Sequence, residues 1–86
     1  IASNEKYQDI FFDATYNKNY CRLKYAQSLE GDERETQLDR AALDIRRTYL
    51  GFPTMGGPES YQKFDKLIRA IRTLQGEKDP KGLKDN

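Results

Sequence analysis

Apolar residues are most regularly spaced in the stretch Ser60–Gln75. They recur there at the i, i+3, i+4, i+7 intervals of one helical face, and the side chains concerned are Tyr61, Phe64, Leu67, Ile68, Ile71 and Leu74. Gly57-Pro58 precedes the stretch and Gly76 follows it, and these are typical helix start and stop signals. The pattern predicts an amphipathic helix that supplies the largest apolar surface of the core, with Leu67 and Ile71 buried.

The stretch between Gly31 and Gly51 shows the same periodicity. Its apolar positions form one stripe, which consists of Leu38, Ala41, Ala42, Ile45 and Tyr49. Asp32 and Glu35 have the spacing of a capping box, so we expect the second helix to begin there. Opposite charges spaced for i, i+4 ion pairs occur in this helix and in the following one, at Arg40–Asp44 and Asp65–Arg69.

The N-terminal segment carries apolar side chains on two neighbouring stripes of a helix. The first stripe consists of Tyr7, Ile10, Phe11, Ala14, Cys21 and Tyr25, and the second stripe consists of Phe12, Tyr16, Tyr20 and Leu23. An apolar face of this width suits a helix that packs between two others. Asn17-Lys18-Asn19 interrupts the pattern with poor helix formers. Residues 4–29 therefore form either one long helix or two shorter ones.

No stretch of the chain alternates between apolar and polar residues as a strand would. The expected fold class is therefore all-α, a small bundle of three or four helices. The segment Gly51–Pro58 is a linker rich in Gly and Pro, in which Phe52 and Met55 are apolar enough to pack back onto the core. We predict a helical domain over residues 1–76 and a charged C-terminal tail over residues 77–86, either disordered or ordered by a partner.

Composition narrows the range of functions. The chain carries 15 basic and 14 acidic residues, and this balance gives no global reason to expect nucleic acid, an anionic membrane or an acidic partner. No apolar run approaches the ~20 residues of a membrane span, so we expect a soluble protein that contacts membranes only peripherally, if at all. The chain begins Ile-Ala-Ser instead of with Met, which favours a processed protein in an organelle lumen or outside the cell over a cytoplasmic one.

Histidine is absent, and Cys21 is the single cysteine. The commonest general base and the commonest zinc ligand are therefore missing, and we expect no catalytic residues, no metal and no cofactor. A single thiol excludes an intramolecular disulfide bond. Free cysteines are among the most buried residue types, so we expect Cys21 to be buried. The alternative is a reactive thiol in an exposed, electropositive setting, for which Lys18, Arg22 and Lys24 are near in sequence.

These exclusions, together with the wide aromatic face of the N-terminal segment, favour a non-enzymatic function. We expect a small accessory or adaptor subunit that docks on a larger protein assembly. The predicted contacts with its protein partner are Tyr16, Tyr20, Phe52 and Met55. The alternative for Tyr16 and Tyr20 is that both complete the intramolecular core.

Three other functions are considered. A nucleic-acid-binding domain would use a basic strip on the exposed side of the last helix, formed by Lys66, Arg69 and Arg72, but the nearly neutral net charge disfavours it. A secreted effector-like helical bundle is the second. In its general plan, a processed start followed by a compact and charged helical bundle, the chain resembles the small extrinsic subunits on the lumenal side of photosynthetic complexes. The third function, implied by this resemblance, is that of an extrinsic lumenal subunit of a photosynthetic membrane complex.

Overall fold

The computed structural model describes residues 2–85 of the chain and the side chains of residues 6–84. It contains three α-helices, α1 (Ala2–Gln27), α2 (Gly31–Gly51) and α3 (Pro58–Leu74), followed by a 3-10 turn at Leu83–Asp85. No strand occurs in residues 2–85, so the all-α prediction is confirmed there, and the expected three or four helices are three. The N-terminal segment is one continuous helix. The terminal residues of the predicted ranges 1–76 and 77–86, Ile1 and Asn86, lie outside the described residues.

Every helix contributes one apolar face to a common core. The buried apolar residues are Phe12, Leu23, Ala26, Leu38, Ala41, Ile45, Met55, Phe64, Leu67, Ile68, Ile71 and Leu83. The prediction that Leu67 and Ile71 are buried is confirmed. Of the two stripes on α1, the second faces this core, since Phe12 and Leu23 are buried and Tyr16 is partly buried against it.

Asn19 shows how α1 stays continuous through the Asn17-Lys18-Asn19 interruption. The Asn19 side chain is fully buried, and its Nδ2 donates hydrogen bonds to the carbonyl oxygen of Thr15 (2.9 Å) and to Oδ2 of Asp44 on α2 (2.8 Å). Its Oδ1 accepts a hydrogen bond from Nη1 of Arg22 (3.0 Å). A buried amide is tolerated when its polar atoms are paired, so a poor helix former becomes a link between α1 and α2.

The connection between α1 and α2 is held by Arg34. Its Nε donates to the carbonyl oxygens of Ala26 (3.1 Å) and Leu29 (2.9 Å), which places a cation at the carbonyl end of α1, where the helix dipole favours it. The predicted capping box is wrong. Helix α2 begins at Gly31, and its N-cap residue Glu30 makes no side-chain capping hydrogen bond, because the expected acidic cap already lies inside the first turn.

The linker between α2 and α3 is packed onto the core by Met55, which is fully buried. The chain reverses here with φ values of +53° at Met55 and +88° at Gly56. A Cβ atom at Gly56 would lie 2.7 Å from Cδ2 of the buried Phe12, so only glycine fits against this ring.

The C-terminal tail also belongs to the packed structure. Leu83 is buried, and its N–H donates to Oδ1 of Asp65 on α3 (2.9 Å). A Cβ at Gly82 would collide with Oδ1 of the same carboxylate, so the tail approaches α3 as closely as a glycine backbone allows. The expectation of a disordered or partner-ordered tail is wrong for the described residues, because α3 itself supplies the partners of the tail backbone.

Candidate interaction surface

The first stripe of α1 faces away from the core. Its described side chains are all exposed, and the three most exposed large ones are Tyr7 (74%), Ile10 (60%) and Tyr25 (56%). Exposed single apolar residues are common on protein surfaces, but a series of them on one helical face is typical of an interaction surface. The sequence assigned the interface to the second stripe, and in the structure the first stripe is the freer of the two.

The four predicted interface residues lie in different environments. Tyr20 is 42% exposed and stacks on Tyr16, with 6.0 Å between ring centroids. Tyr16 is partly buried, with its ring edge-on to Phe64 at 5.6 Å. Phe52 is 43% exposed, whereas Met55 is fully buried, so the prediction that Met55 contacts a partner does not fit the structure. Tyr16 joins the core while Tyr20 stays accessible, so the alternative that both tyrosines complete the core is wrong for Tyr20, and its contact with a partner stays a prediction.

Three phenylalanines connect the first stripe with the linker. Phe11 lies 5.2 Å from Phe12 and 5.6 Å from Phe52 between ring centroids, and Phe12 lies 5.5 Å from Phe52. Phe12 is buried, while the other two rings keep about two fifths of their surface in solvent (40% and 43%). Rings held in edge-to-face contact are already ordered, so they lose little entropy when a partner covers them.

A groove between α1 and α2 brings together four cations, two from each helix. This α1–α2 groove encloses about 210 Å³ and is lined by Lys18, Arg22, Arg40, Leu43, Asp44 and Arg47. A second depression of about 420 Å³ continues along the same pair of helices, and its lining residues are Tyr25, Leu29, Glu33, Thr36, Gln37 and Arg40. Arg40 lines both, so the two depressions adjoin at this side chain, and together they are called the trough.

Asp44 lies in the floor of the α1–α2 groove. Burial raises the pKa of its carboxyl group. The hydrogen bonds from Asn19 and Lys18 and the charges of Lys18 and Arg22 together lower it by more than burial raises it, so the pKa lies below its ordinary value. The Lys18 Nζ atom lies 2.9 Å from Oδ2 of Asp44, and Arg22 Nη1 lies 3.8 Å away. The predicted Arg40–Asp44 pair is wrong, because α1 reaches this carboxylate. The Asp65–Arg69 pair is confirmed at 2.8 Å.

Sequence reasoning missed this groove. Its cations come from two helices, and only the antiparallel packing of α1 on α2 brings Lys18 and Arg22 beside Arg40 and Arg47. A partial signal was present, since each pair has a helical spacing, i, i+4 in α1 and i, i+7 in α2, that places both cations on one side of its helix. What the sequence lacked was the mutual orientation of the two helices.

The predicted basic strip on α3 is not a continuous cationic surface. Lys66 is exposed, but Arg72 is buried and its Nη1 donates to the carbonyl oxygen of Lys81 (2.8 Å). Nη1 of Arg69 donates to the carbonyl oxygen of Pro80 (3.1 Å). The expectation that Arg72 lies on the exposed side of the helix is wrong, because the tail covers it.

Cys21 is exposed, so the prediction that it is buried is wrong. It lies on the first stripe, and the buried stripe of α1 is the other one. Among the described residues, no group of three or more Cys, Asp or Glu side chains is placed to hold a metal ion. None of the helices in residues 2–85 combines the length and the hydrophobicity that crossing a membrane requires.

Comparison of the chain with protein-family models, with curated proteins and with solved structures finds no significant match.

Proposed function

We propose that this protein is a non-enzymatic accessory or adaptor subunit that docks on a larger protein assembly. The observation that carries the proposal is the first stripe of α1, where aromatic and aliphatic side chains remain in solvent on the side of the helix opposite the core. Phe52 adjoins this surface through its contact with Phe11, with 5.6 Å between the ring centroids. Large aromatic residues on an ordered helix are typical anchors of protein interfaces.

The surface can be tested without disturbing the fold. Tyr7 and Ile10 are the most exposed of its large residues, so the double variant Tyr7→Lys/Ile10→Lys should keep the helical circular dichroism of the wild type. Leu50→Lys is the matched control, because Leu50 is 70% exposed on α2 and lies outside the first stripe. We expect native mass spectrometry of tagged protein from its source extract to show a defined complex with the wild type and the control, but not with the double variant.

The partner's identity would also separate the narrower roles. Subunits of a photosynthetic complex would indicate an extrinsic lumenal subunit, and a protein of another organism would indicate a secreted effector. A double variant that keeps its complex would contradict the proposed surface. Binding of the wild type to anionic lipid vesicles without any protein partner would contradict docking on a protein assembly.

A further inference from the structure

We infer that the α1–α2 groove seats an acidic amphipathic helix contributed by the partner protein. The inference rests on the proposed function, because it names the class of segment that the docking subunit would take and the place where that segment would lie. It depends on the charges of the groove, on the apolar side chains along it and on its length.

The charge of the groove is far from that of the chain as a whole. Four cations and one carboxylate line it, which leaves a surplus of three positive charges, whereas the complete chain has a net charge of +1. The single carboxylate, Asp44, is already committed to Lys18 and Asn19. Among the described residues, Arg40 and Arg47 have no carboxylate within ion-pair distance. A ligand that brings carboxylates to these two arginines would meet complementary charge.

Apolar side chains accompany the cations along the groove. Leu43 lines the groove and is 49% exposed, and Tyr25 and Leu29 line the trough at the end near the α1–α2 connection. A ligand that carries only charge would leave these side chains in water. The combination favours a segment with both carboxylates and apolar residues.

The length of the groove fits a helix of about four turns. On α2 the lining residues run from Glu33 to Arg47, which are 14 positions apart, and this corresponds to about 21 Å at 1.5 Å per residue. No residue of α3 lines either depression, so a helix of that length laid between α1 and α2 would add a fourth helix to the bundle. An amphipathic helix presents apolar anchors every three or four residues, with its acidic residues between them and at their flanks.

A nucleic acid fits the groove less well. Nucleic acids are bound chiefly through their phosphates, so a strand in the groove would leave Leu43 without an apolar partner. The basic residues of α3 do not extend the groove, since Arg69 and Arg72 are bonded to the tail. The acidic helix is therefore the occupant that matches both the charged and the apolar positions.

The experiment uses the full chain and three fluorescein-labelled probes. The first is a 14-residue peptide of Leu and Glu with helical spacing, the second is the same peptide with Lys in place of Glu, and the third is a single-stranded oligothymidine of the same net charge as the first. We expect fluorescence anisotropy to show saturable 1:1 binding of the Leu/Glu peptide, weakened by raised salt, and at least about tenfold tighter than binding of either other probe.

Paired charge-reversal variants locate the binding. Arg40→Glu/Arg47→Glu places two carboxylates in the groove, and we expect it to weaken binding of the Leu/Glu peptide at least about tenfold. Lys66→Glu/Lys78→Glu makes the same change of net charge at exposed positions elsewhere, and it should leave the affinity within about twofold of wild type. Amide chemical-shift changes on titration should centre on Arg22, Leu43 and Arg47.

Several results would overturn the inference. The first two are an equal loss of affinity for the Leu/Glu peptide in both charge-reversal variants, and tighter binding of the oligonucleotide or of the Leu/Lys peptide. The other two are chemical-shift changes confined to α3, and a dimer in sedimentation equilibrium in which a second copy of this chain occupies the groove. Failure here is distinguishable from failure of the proposed function. A native complex that is lost in Tyr7→Lys/Ile10→Lys but kept in Arg40→Glu/Arg47→Glu would leave the docking subunit standing without the acidic helix.

Discussion

The two ends of this chain have contrasting compositions and equally contrasting structures. The first turns of α1 are rich in aromatic and aliphatic residues, yet the described side chains from Lys6 to Phe11 are all exposed. The tail after α3 is rich in charge and contains a single large apolar residue, Leu83, yet that residue is buried and the backbone around it is bonded to α3. Apolar content predicts which segments can be buried, but not which of them pack against another element of the same chain.

The difference lies in what each end can reach. Helix α1 has 26 residues and α2 has 21, so α1 is about 39 Å long and α2 about 32 Å, and α1 has more length than its neighbour can cover. The tail turns back beside α3, where Asp65, Arg69 and Arg72 bond its N–H and carbonyl groups. Backbone polar groups that find such partners can be removed from water at little cost.

The largest loss of stability is expected for a substitution in the core, and it is the reference for substitutions at the two ends of the chain. Ile71 is fully buried at the centre of the core, so Ile71→Ala should lower the free energy of unfolding by ~2–5 kcal/mol. Chemical denaturation followed by circular dichroism measures this loss. A variant as stable as the wild type would show that α3 does not supply the main apolar surface.

Leu83→Ala should cost less, about 2 kcal/mol, because the tail can detach locally once its single apolar anchor is shortened. Gly82→Ala should have a similar effect, since its Cβ collides with the Asp65 carboxylate. Both changes should increase hydrogen exchange of the Leu83 amide. Unchanged stability and exchange would mean that the tail is not part of the cooperative structure, and the contrast between the ends would fail.

Asp44 anchors the middle of α1 and should produce a pH-dependent effect. Its folded-state pKa lies below the unfolded value, so the ionised carboxylate stabilises the protein above about pH 4, and this stabilisation is lost as the pH falls through the folded-state pKa. Asp44→Asn should lower stability at pH 7 by about 1 kcal/mol or less. Between pH 5 and pH 3 the free energy of unfolding of Asp44→Asn should change less than that of the wild type. Chemical denaturation at a series of pH values measures both curves, and parallel curves would show that the Asp44 carboxylate does not stabilise the fold.

The smallest effect is expected at the other end. Tyr7→Ala should change the free energy of unfolding by less than about 0.5 kcal/mol, because the side chain is three quarters exposed (74%). Thermal denaturation of the variant beside Leu83→Ala tests the comparison directly. Destabilisation by Tyr7→Ala as large as that by Leu83→Ala would show that the N-terminal turns are packed after all.

How much of this could be predicted depended on whether a helix had one apolar face or two. Helix α3 has one, so its core residues Leu67 and Ile71 followed from spacing alone, and its observed extent, Pro58–Leu74, differs from the predicted Ser60–Gln75 by only one or two residues at each end. Helix α1 has two, and the residue that decides between them is polar. Asn19 is buried because Asp44, 25 positions away, accepts its hydrogen bond, and such a pairing cannot be inferred from spacing within one helix.

The α1–α2 groove and the packing of the tail could not be predicted from the sequence for related reasons. The groove cations become neighbours only through the packing of α1 on α2, and spacing alone does not show which of the two stripes of α1 faces the core. For the tail, the charged composition was misleading. One leucine beside a glycine is enough to pack the tail onto α3, because Asp65 and two arginines of α3 form hydrogen bonds with the tail backbone.

The connection of residues 28–30 between α1 and α2 also bears on how fast the protein folds. Sequential helices joined by short connections make mostly local contacts, and domains of low contact order fold in microseconds to milliseconds. Arg34 and the Asn19–Asp44 bond both lie within the α1–α2 pair, so this hairpin can form before α3 is added. We therefore expect Asn19→Ala to slow refolding and Leu83→Ala chiefly to speed unfolding, a division that stopped-flow measurements would reveal.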